Sequence, residues 1–293
     1  MDQFLLSICV PTYNGSRSIR ECLNAIFEAR RGFESLVEVI VSDNSSNDGT
    51  FEIVREYNEI NYRFYRNESN IGFNENLFKL IDDYAEGTFV WTIGDDDLIA
   101  RQSISLFLKY APCMDALLIK NGSLAHGTEK VLSEERNLYA KKMSYYEAVD
   151  TVANGSNLLA TFMTCAIFRK KPINAIDKTN IKDSDWSEYS KIFPNGYILN
   201  FAFRESHCVF CADDIFIYSV PIERNWSDKM AYLQTEILPQ FYLDICSDKR
   251  AKKCLKRTKM LLIKALVKCM ITLDEYKYKK SAFNSILRIL VKG

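Results

Sequence analysis

Val37-Glu38-Val39-Ile40-Val41-Ser42-Asp43-Asn44-Ser45-Ser46-Asn47-Asp48-Gly49-Thr50 is the stretch that decides the fold of this 293-residue chain. Val37 to Val41 has the apolar, β-branched character of a strand buried in a parallel sheet. A polar cluster follows at once, and Asp48 offers a side-chain oxygen to cap a helix reaching about Tyr57.

The same beat runs outward in both directions. Upstream, Leu5 to Val10 is an apolar run ended by Pro11. Ser16 or Ser18 then caps a helix whose Ile19, Cys22, Leu23, Ile26 and Phe27 share one face, and Gly32 closes it. Downstream come a strand at Tyr62 to Tyr65, a helix at about Phe73 to Tyr84 and a strand at Phe89 to Ile93. A helix near Ser103 to Tyr110 and a strand at Ala116 to Lys120 complete the series. Strands alternating with helices of about a dozen residues imply βαβ units and a mostly parallel sheet flanked by helices.

Past residue 120 the pattern loosens. Residues 121–143 read as a polar loop, Ser144 to Ala153 as a helix, and Leu158 to Phe168 as an apolar stretch. A polar segment spans 174–191, strand-like runs lie around 207–210 and 214–220, and helices extend from Ser227 to the end. The expected division is a binding half at 1–120, a second half of the same α/β domain at 121–226, and a basic helical extension at 227–293.

Residues 248–293 hold 14 Lys/Arg against 3 Asp/Glu, so the first 247 residues carry 24 against 35 and the formal charges cancel over the chain. An acidic body argues against nucleic-acid binding. No basic segment followed by an apolar core opens the chain, and no apolar run of about 18 residues occurs, so neither a leader nor a spanning helix is expected. Nine scattered cysteines fit reduced, mostly buried thiols and a cytoplasmic location. Cys208 and Cys211 beside His207 have no second pair at zinc-ligand spacing.

Ligands of parallel sheets sit beyond the carboxyl ends of the strands. That rule selects Pro11-Thr12-Tyr13-Asn14-Gly15, Ser42-Asp43-Asn44 and Gly94-Asp95-Asp96-Asp97, which should converge on one rim. Three adjacent carboxylates repel one another and call for a cation. In extended backbone Asp95 and Asp97 project to the same side, with Asp96 turned away, and hard oxygen ligands suit Mg²⁺ or Mn²⁺ bridged to phosphates. The bland alternative is a solvated acidic turn with Asp97 capping the next helix. Asp43 at a strand end can accept from a base or ribose, or form a local Asx turn. Tyr13 offers a face for stacking on a base, or is a turn residue on the core.

Ser7-Ile8-Cys9-Val10-Pro11-Thr12-Tyr13-Asn14, Val39 to Thr50, Asn67-Glu68-Ser69-Asn70-Ile71-Gly72 and Gly94-Asp95-Asp96-Asp97 together resemble the family-2 glycosyltransferases of the GT-A fold. The resemblance implies that Asp43 contacts the nucleotide base, Asp95 the sugar-nucleotide and Asp97 a divalent cation on the diphosphate, with inversion at the anomeric carbon. Pro11, Thr12, Tyr13, Asn14, Asn44, Asn70, Gly72 and Asp96 would complete the donor site. The Gly-Asp-Asp-Asp form is most similar to O-antigen transferases that add deoxy sugars, such as abequosyl or rhamnosyl transferases. The partners implied are a nucleotide-diphosphate sugar and a glycan acceptor, including a lipid-linked one.

An inverting displacement needs a carboxylate to take the acceptor's proton. The family's Glu-Asp pair is absent, and Asp185, then Asp183 and Glu188, are the candidates in Lys182-Asp183-Ser184-Asp185-Trp186-Ser187-Glu188; each equally suits a solvated helix start. Arg224 in Glu223-Arg224-Asn225-Trp226 is a candidate phosphate contact, although the usual Gln-x-x-Arg-Trp order is missing. The basic stretch 249–267 leaves two readings open: a helix on the anionic inner face of the plasma membrane, or a subdomain packed on the body or on another subunit. Two further activities compete. A nucleotide-sugar pyrophosphorylase should show a Gly-rich, basic phosphate loop that only Gly15 and Arg17 approximate, and a non-catalytic sugar-binding protein has no need of both Asp95 and Asp97.

Overall fold

The computed structural model describes residues 4–123, 139–153, 163–181, 189–219, 230–273 and 275–292. The first half is β1 (Phe4–Thr12), α1 (Ile19–Arg30), β2 (Val37–Asp43), α2 (Thr50–Arg55), β3 (Tyr62–Arg66), α3 (Phe73–Lys79) with a π turn at Leu80–Tyr84, β4 (Gly87–Thr92), β5 (Asp97–Ile99), α4 (Ser103–Tyr110) and β6 (Ala116–Ser123). The second half is β7 (Ala140–Met143), α5 (Tyr145–Val152), β8 (Ala166–Arg169), α6 (Lys170–Asn174), α7 (Tyr189–Ile192), α8 (Pro194–Phe203) and β9 (Val209–Ser219). The helical remainder is α9 (Met230–Tyr232), a π turn at Leu233–Ile237, α10 (Leu238–Ile245), α11 (Lys249–Cys254), α12 (Lys256–Thr272) and α13 (Tyr276–Lys292).

Among the described residues, nine strands form one sheet in the order β3-β2-β1-β4-β8-β6-β9-β5, with β7 on β9. The pairs β1–β2, β1–β4 and β2–β3 are parallel, as the strand-helix alternation requires. β8 runs antiparallel between β4 and β6 and ties the second half into the sheet of the first.

Both faces of the sheet are covered. Leu6, Ile8 and Val10 of β1, Val37, Val39 and Val41 of β2, and Phe89 and Trp91 of β4 face α1 and α4. Cys9, Ile40 and Val90 alternate with them and face the opposite layer, which includes α5, α8 and residues of α10 to α13. Leu262 and Leu266 of α12 and Ala282 and Ile289 of α13 belong to that second core, so the basic extension packs on the body.

Several local expectations are corrected. Asp48 is not the helix cap: Gly49, at φ 91°, precedes α2, while the Asp48 carboxylate still accepts the Thr50 N–H at 3.1 Å. Residues 140–143, read as loop, are an edge strand on β9. The two runs near 207–220 are one strand, which passes an irregularity in its register with β6 at Leu118/Lys120. α8 was not expected at all. It is apolar around most of its circumference and so carries little of the polar periodicity that announces a surface helix.

At the strand ends opposite the polar clusters lies a buried ion pair. Glu38 is fully buried and accepts from the Ser7 hydroxyl at 2.5 Å, from the Glu86 N–H at 2.7 Å and from Arg63. Arg63 also donates to Glu86 and to the Tyr84 carbonyl, where the π turn ends. Removing one member of such a set leaves the others uncompensated. Glu38→Ala should therefore lower the free energy of unfolding by about 2–4 kcal/mol in a denaturant titration, and a loss below about 1 kcal/mol would assign the pair no structural weight.

Candidate active site

The loops after β1, β2, β3 and β4 meet at one rim, joined by hydrogen bonds in which short polar side chains of one loop engage the backbone or side chains of the next. The Asn14 N–H donates to Ser46 Oγ at 2.8 Å, Asn14 Oδ1 accepts the Asn47 N–H at 3.0 Å, and Asp48 accepts the Ser16 N–H at 3.0 Å. Asn14, at φ 53°, lies in the left-handed region that Asn tolerates better than most residues. Asn44 Nδ2 donates to Asn70 Oδ1 at 2.8 Å and to the Gly72 carbonyl at 3.2 Å, while its Oδ1 accepts from Asn67 and from the Ile71 N–H, each at 3.0 Å. With both amide protons and both lone pairs of Asn44 engaged, its role is to hold the 67–72 loop.

Asp43 terminates β2 and is fully buried. Its Oδ1 accepts from the Ser46 N–H at 3.1 Å and from the Ser46 hydroxyl, the local turn foreseen as an alternative to ligand binding. Its Oδ2 has no hydrogen-bond partner; Arg66 Nε lies 3.4 Å away, a charge contact rather than a bond. The two roles are therefore compatible, one oxygen fixing the turn and the other left without a hydrogen-bond donor beside Arg66. A buried acceptor without a donor costs about 1–3 kcal/mol, which a ligand N–H or O–H would recover. Tyr13, on the adjacent loop, is 44 % exposed, which excludes the reading of a ring packed in the core.

Asp95 and Asp96 form a turn and are not extended. The Asp97 N–H donates to the Gly94 carbonyl at 3.0 Å, closing a four-residue turn, and Asp97 then starts β5 instead of capping a helix. The alternation argument for Asp95 and Asp97 thus fails, because a turn, not a strand, sets their directions. Asp95 is partly exposed and accepts from the Thr12 hydroxyl at 2.6 Å. Asp97 is buried and accepts from the Thr164 hydroxyl. Asp96 is buried as well. Both Asp95 and Asp97 bear on the Cys22 thiol of α1, whose pKa is pushed well up, chiefly by burial and then by these two negative charges.

Two glycines make the approach possible. A Cβ at Gly15 would stand 2.6 Å from Thr12 Oγ1 and collide with the Asp95 carboxylate. A Cβ at Gly94 would stand 2.7 Å from Asp97 Oδ2.

Sequence reasoning missed the residues that orient Asp97. The Met163–Cys165 turn is held to β4 by Trp91 Nε1 donating to the Thr164 carbonyl at 2.8 Å and by Thr92 Oγ1 donating to the Met163 carbonyl at 3.0 Å. Thr164 Oγ1 in turn accepts the Gly94 N–H at 3.0 Å. Buried Asn195 of α8 donates to the Met163 carbonyl at 3.0 Å. Thr164 lies 67 positions beyond Asp97 inside an apolar run, where nothing local marks it. Arg66 was findable: it is the last residue of β3, and the strand-end rule applied to the third strand selects it.

Of the sequence-selected residues, Pro11, Thr12, Tyr13, Asn14, Asp43, Asn44, Asn70, Gly72, Asp95, Asp96 and Asp97 belong to this rim. Asp183, Asp185, Glu188 and Arg224 lie outside the described residues. Among the described residues no group of three or more His, Cys, Asp or Glu side chains could hold a metal ion by itself. The donor chemistry nevertheless fits Mg²⁺ or Mn²⁺, which are commonly held by one or two carboxylates and completed by substrate phosphates and water.

Residues 7–177 match the family described as Glycosyl transferase family 2. The chain is 34% identical over 110 residues to the abequosyltransferase RfbV of Salmonella typhimurium, an alignment covering 36% of this chain and 32% of that protein. It is 35% identical over 100 residues to the poly(ribitol-phosphate) beta-N-acetylglucosaminyltransferase TarS of Staphylococcus aureus, covering 33% and 17% respectively. The chain thus spans about a third or less of the length of these two curated relatives. In fold it is similar to TarS in complex with UDP-GlcNAc, with a TM-score of 0.62, 18% identity, and coverage of 98% of this chain and 81% of that one. It is also similar to a mannosyltransferase from Pyrobaculum calidifontis in complex with GDP-Man and Mn²⁺, with a TM-score of 0.57, 15% identity, and coverage of 98% and 87%. With a GT-A sheet, motifs at its strand ends and a family match over more than half its length, the chain belongs to glycosyl transferase family 2.

Proposed function

We propose that the chain is an inverting, metal-dependent glycosyltransferase that moves a sugar from a nucleoside-diphosphate donor onto a glycan acceptor, including a lipid-linked one, in surface-polysaccharide synthesis. The observation that carries this reading is the buried Asp43 carboxylate with an unbonded Oδ2, set on the same rim as Tyr13, Asp95 and Asp97. On this reading residues 1–120 bind the donor, 121–226 the acceptor, and 227–293 are an extension.

Asp43 Oδ2 accepts a hydrogen bond from an N–H of the nucleotide base, orienting it, while Arg66 at 3.4 Å offsets the carboxylate's charge. Tyr13 supplies a stacking face. Thr12 and Thr164 fix the rotamers of Asp95 and Asp97, which would hold the cation. A bound Mn²⁺ or Mg²⁺ would supply positive charge to the diphosphate as it departs. Proton removal from the acceptor hydroxyl falls to a carboxylate of the second half, with Asp185 preferred over Asp183 and Glu188. Arg224 is the candidate second contact to the diphosphate. The abequosyltransferase relative and the UDP-GlcNAc-bound and GDP-Man-bound fold neighbours support the donor class.

Thermal shift with UDP-, dTDP-, GDP- and CDP-sugars in the presence of Mn²⁺ tests the reading directly, since a donor bound to the folded state raises Tm. One class of donor should shift Tm and release nucleoside diphosphate on turnover; release of pyrophosphate would overturn the assignment. Asp43→Asn should weaken nucleoside-diphosphate binding roughly 10–100-fold by calorimetry, the cost of one charge-assisted hydrogen bond. Unchanged affinity would remove Asp43 from the site. For Asp97→Asn, Mn²⁺-stimulated donor hydrolysis is expected to fall roughly 10²–10³-fold. In Thr164→Val the expected change is in the metal requirement: the Mn²⁺ concentration for half-maximal rate rises about tenfold or more, while the rate at saturating Mn²⁺ is largely retained.

A further inference from the structure

α13 is apolar along two different lines. Ala282, Ser285 and Ile289 are buried against the body. Tyr276, Phe283, Leu287 and Leu290, spaced by seven, four and three residues, form a second line on the order of 140° around the helix. That line is in water: the four residues are 77%, 50%, 46% and 58% exposed. α12 repeats the theme with Met260, Val267 and Ile271, also exposed and also on one face. A run of large apolar side chains of this kind marks an interaction surface.

The charges on the two helices themselves are of one sign, with Glu275 just ahead of α13 paired to Lys277 at 2.8 Å. α12 and α13 together carry ten Lys/Arg and no Asp or Glu. Lys277, Lys280 and Arg288 line a groove of about 250 Å³ with Asn284, Ser281 and Glu236. Large apolar residues with cations beside them match the boundary between acyl chains and anionic headgroups, where the apolar side chains enter and the long basic stems reach up to phosphate. A nucleic acid would have no use for the exposed aliphatic line. The stretch 249–267 contributes to this surface only through Met260 and Val267, because its Leu255, Leu262 and Leu266 are buried in the body.

We propose that the outer face of α13, extended by that of α12, docks on an anionic phospholipid surface, with Phe283, Leu287 and Leu290 in the acyl boundary and Lys277, Lys280 and Arg288 on headgroup phosphates. No helix among the described residues is long and apolar enough to cross a membrane, so the contact is a surface one. It stands independently of the transferase reading, since none of these residues belongs to the rim.

Flotation of the full chain with phosphatidylcholine vesicles, with and without phosphatidylglycerol, tests it. Binding is expected to the mixed vesicles alone and to weaken in high salt. Phe283→Ser combined with Leu287→Ser should lower the partition coefficient at least about tenfold, since two large apolar side chains leave the lipid. Lys277→Glu with Lys280→Glu should lower it comparably, and helix content by circular dichroism and donor hydrolysis in solution should be unchanged in both variants. The proposal is overturned by absence of binding to the mixed vesicles, or by binding indifferent to the Phe283 and Leu287 changes. Concentration-dependent self-association in sedimentation, abolished by those same changes and without vesicle binding, would overturn it in favour of an interface between copies of the chain.

Discussion

Negative charge held without water is the constraint around which this molecule is arranged. Asp43 and Asp97 are both buried, and each keeps its place through a hydroxyl and a backbone turn: Ser46 for the first, Thr164 for the second. Burial of a carboxylate is costly unless hydrogen bonds or countercharge offset it. The strand-end loops are built to supply those bonds, which explains why so many short polar side chains stand where an ordinary connection would need only one or two.

The sheet makes that arrangement affordable in conformational terms. Three parallel pairings bring the carboxyl ends of β1, β2, β3 and β4 to one edge, so the loops need only reach their neighbours. The antiparallel β8 then inserts beside β4 and delivers the Met163–Cys165 turn to the same edge. At the other end of the strands Glu38 and Arg63 join β1, β2, β3 and the start of β4 through side chains, so both ends of the sheet are pinned.

The parts legible in the sequence are those whose signal is local. An apolar run followed directly by short polar residues marks both a strand and its carboxyl end, and this sufficed for β1, β2, β4 and for the convergence of Thr12, Asp43 and Asp95 on one rim. What stayed hidden depends on partners far along the chain. β5 begins inside the acidic triplet and is a strand only because β9 pairs with it. β7 alternates too weakly in Ala140-Lys141-Lys142-Met143 to be distinguished from loop. The geometry of Asp95 to Asp97 was inferred from extended backbone, yet a hydrogen bond across Gly94 bends it, and three carboxylates in a row do not announce that bond.

The Thr164 hydroxyl ties the second half of the domain to the first. It comes from the half of the domain assigned to the acceptor, yet it grips a carboxylate assigned to the donor, and it also bonds the Gly94 amide that opens the turn. The two halves therefore are not interchangeable modules. A chimera that borrowed its second half from another transferase would inherit a rim in which the buried Asp97 is aimed by foreign backbone.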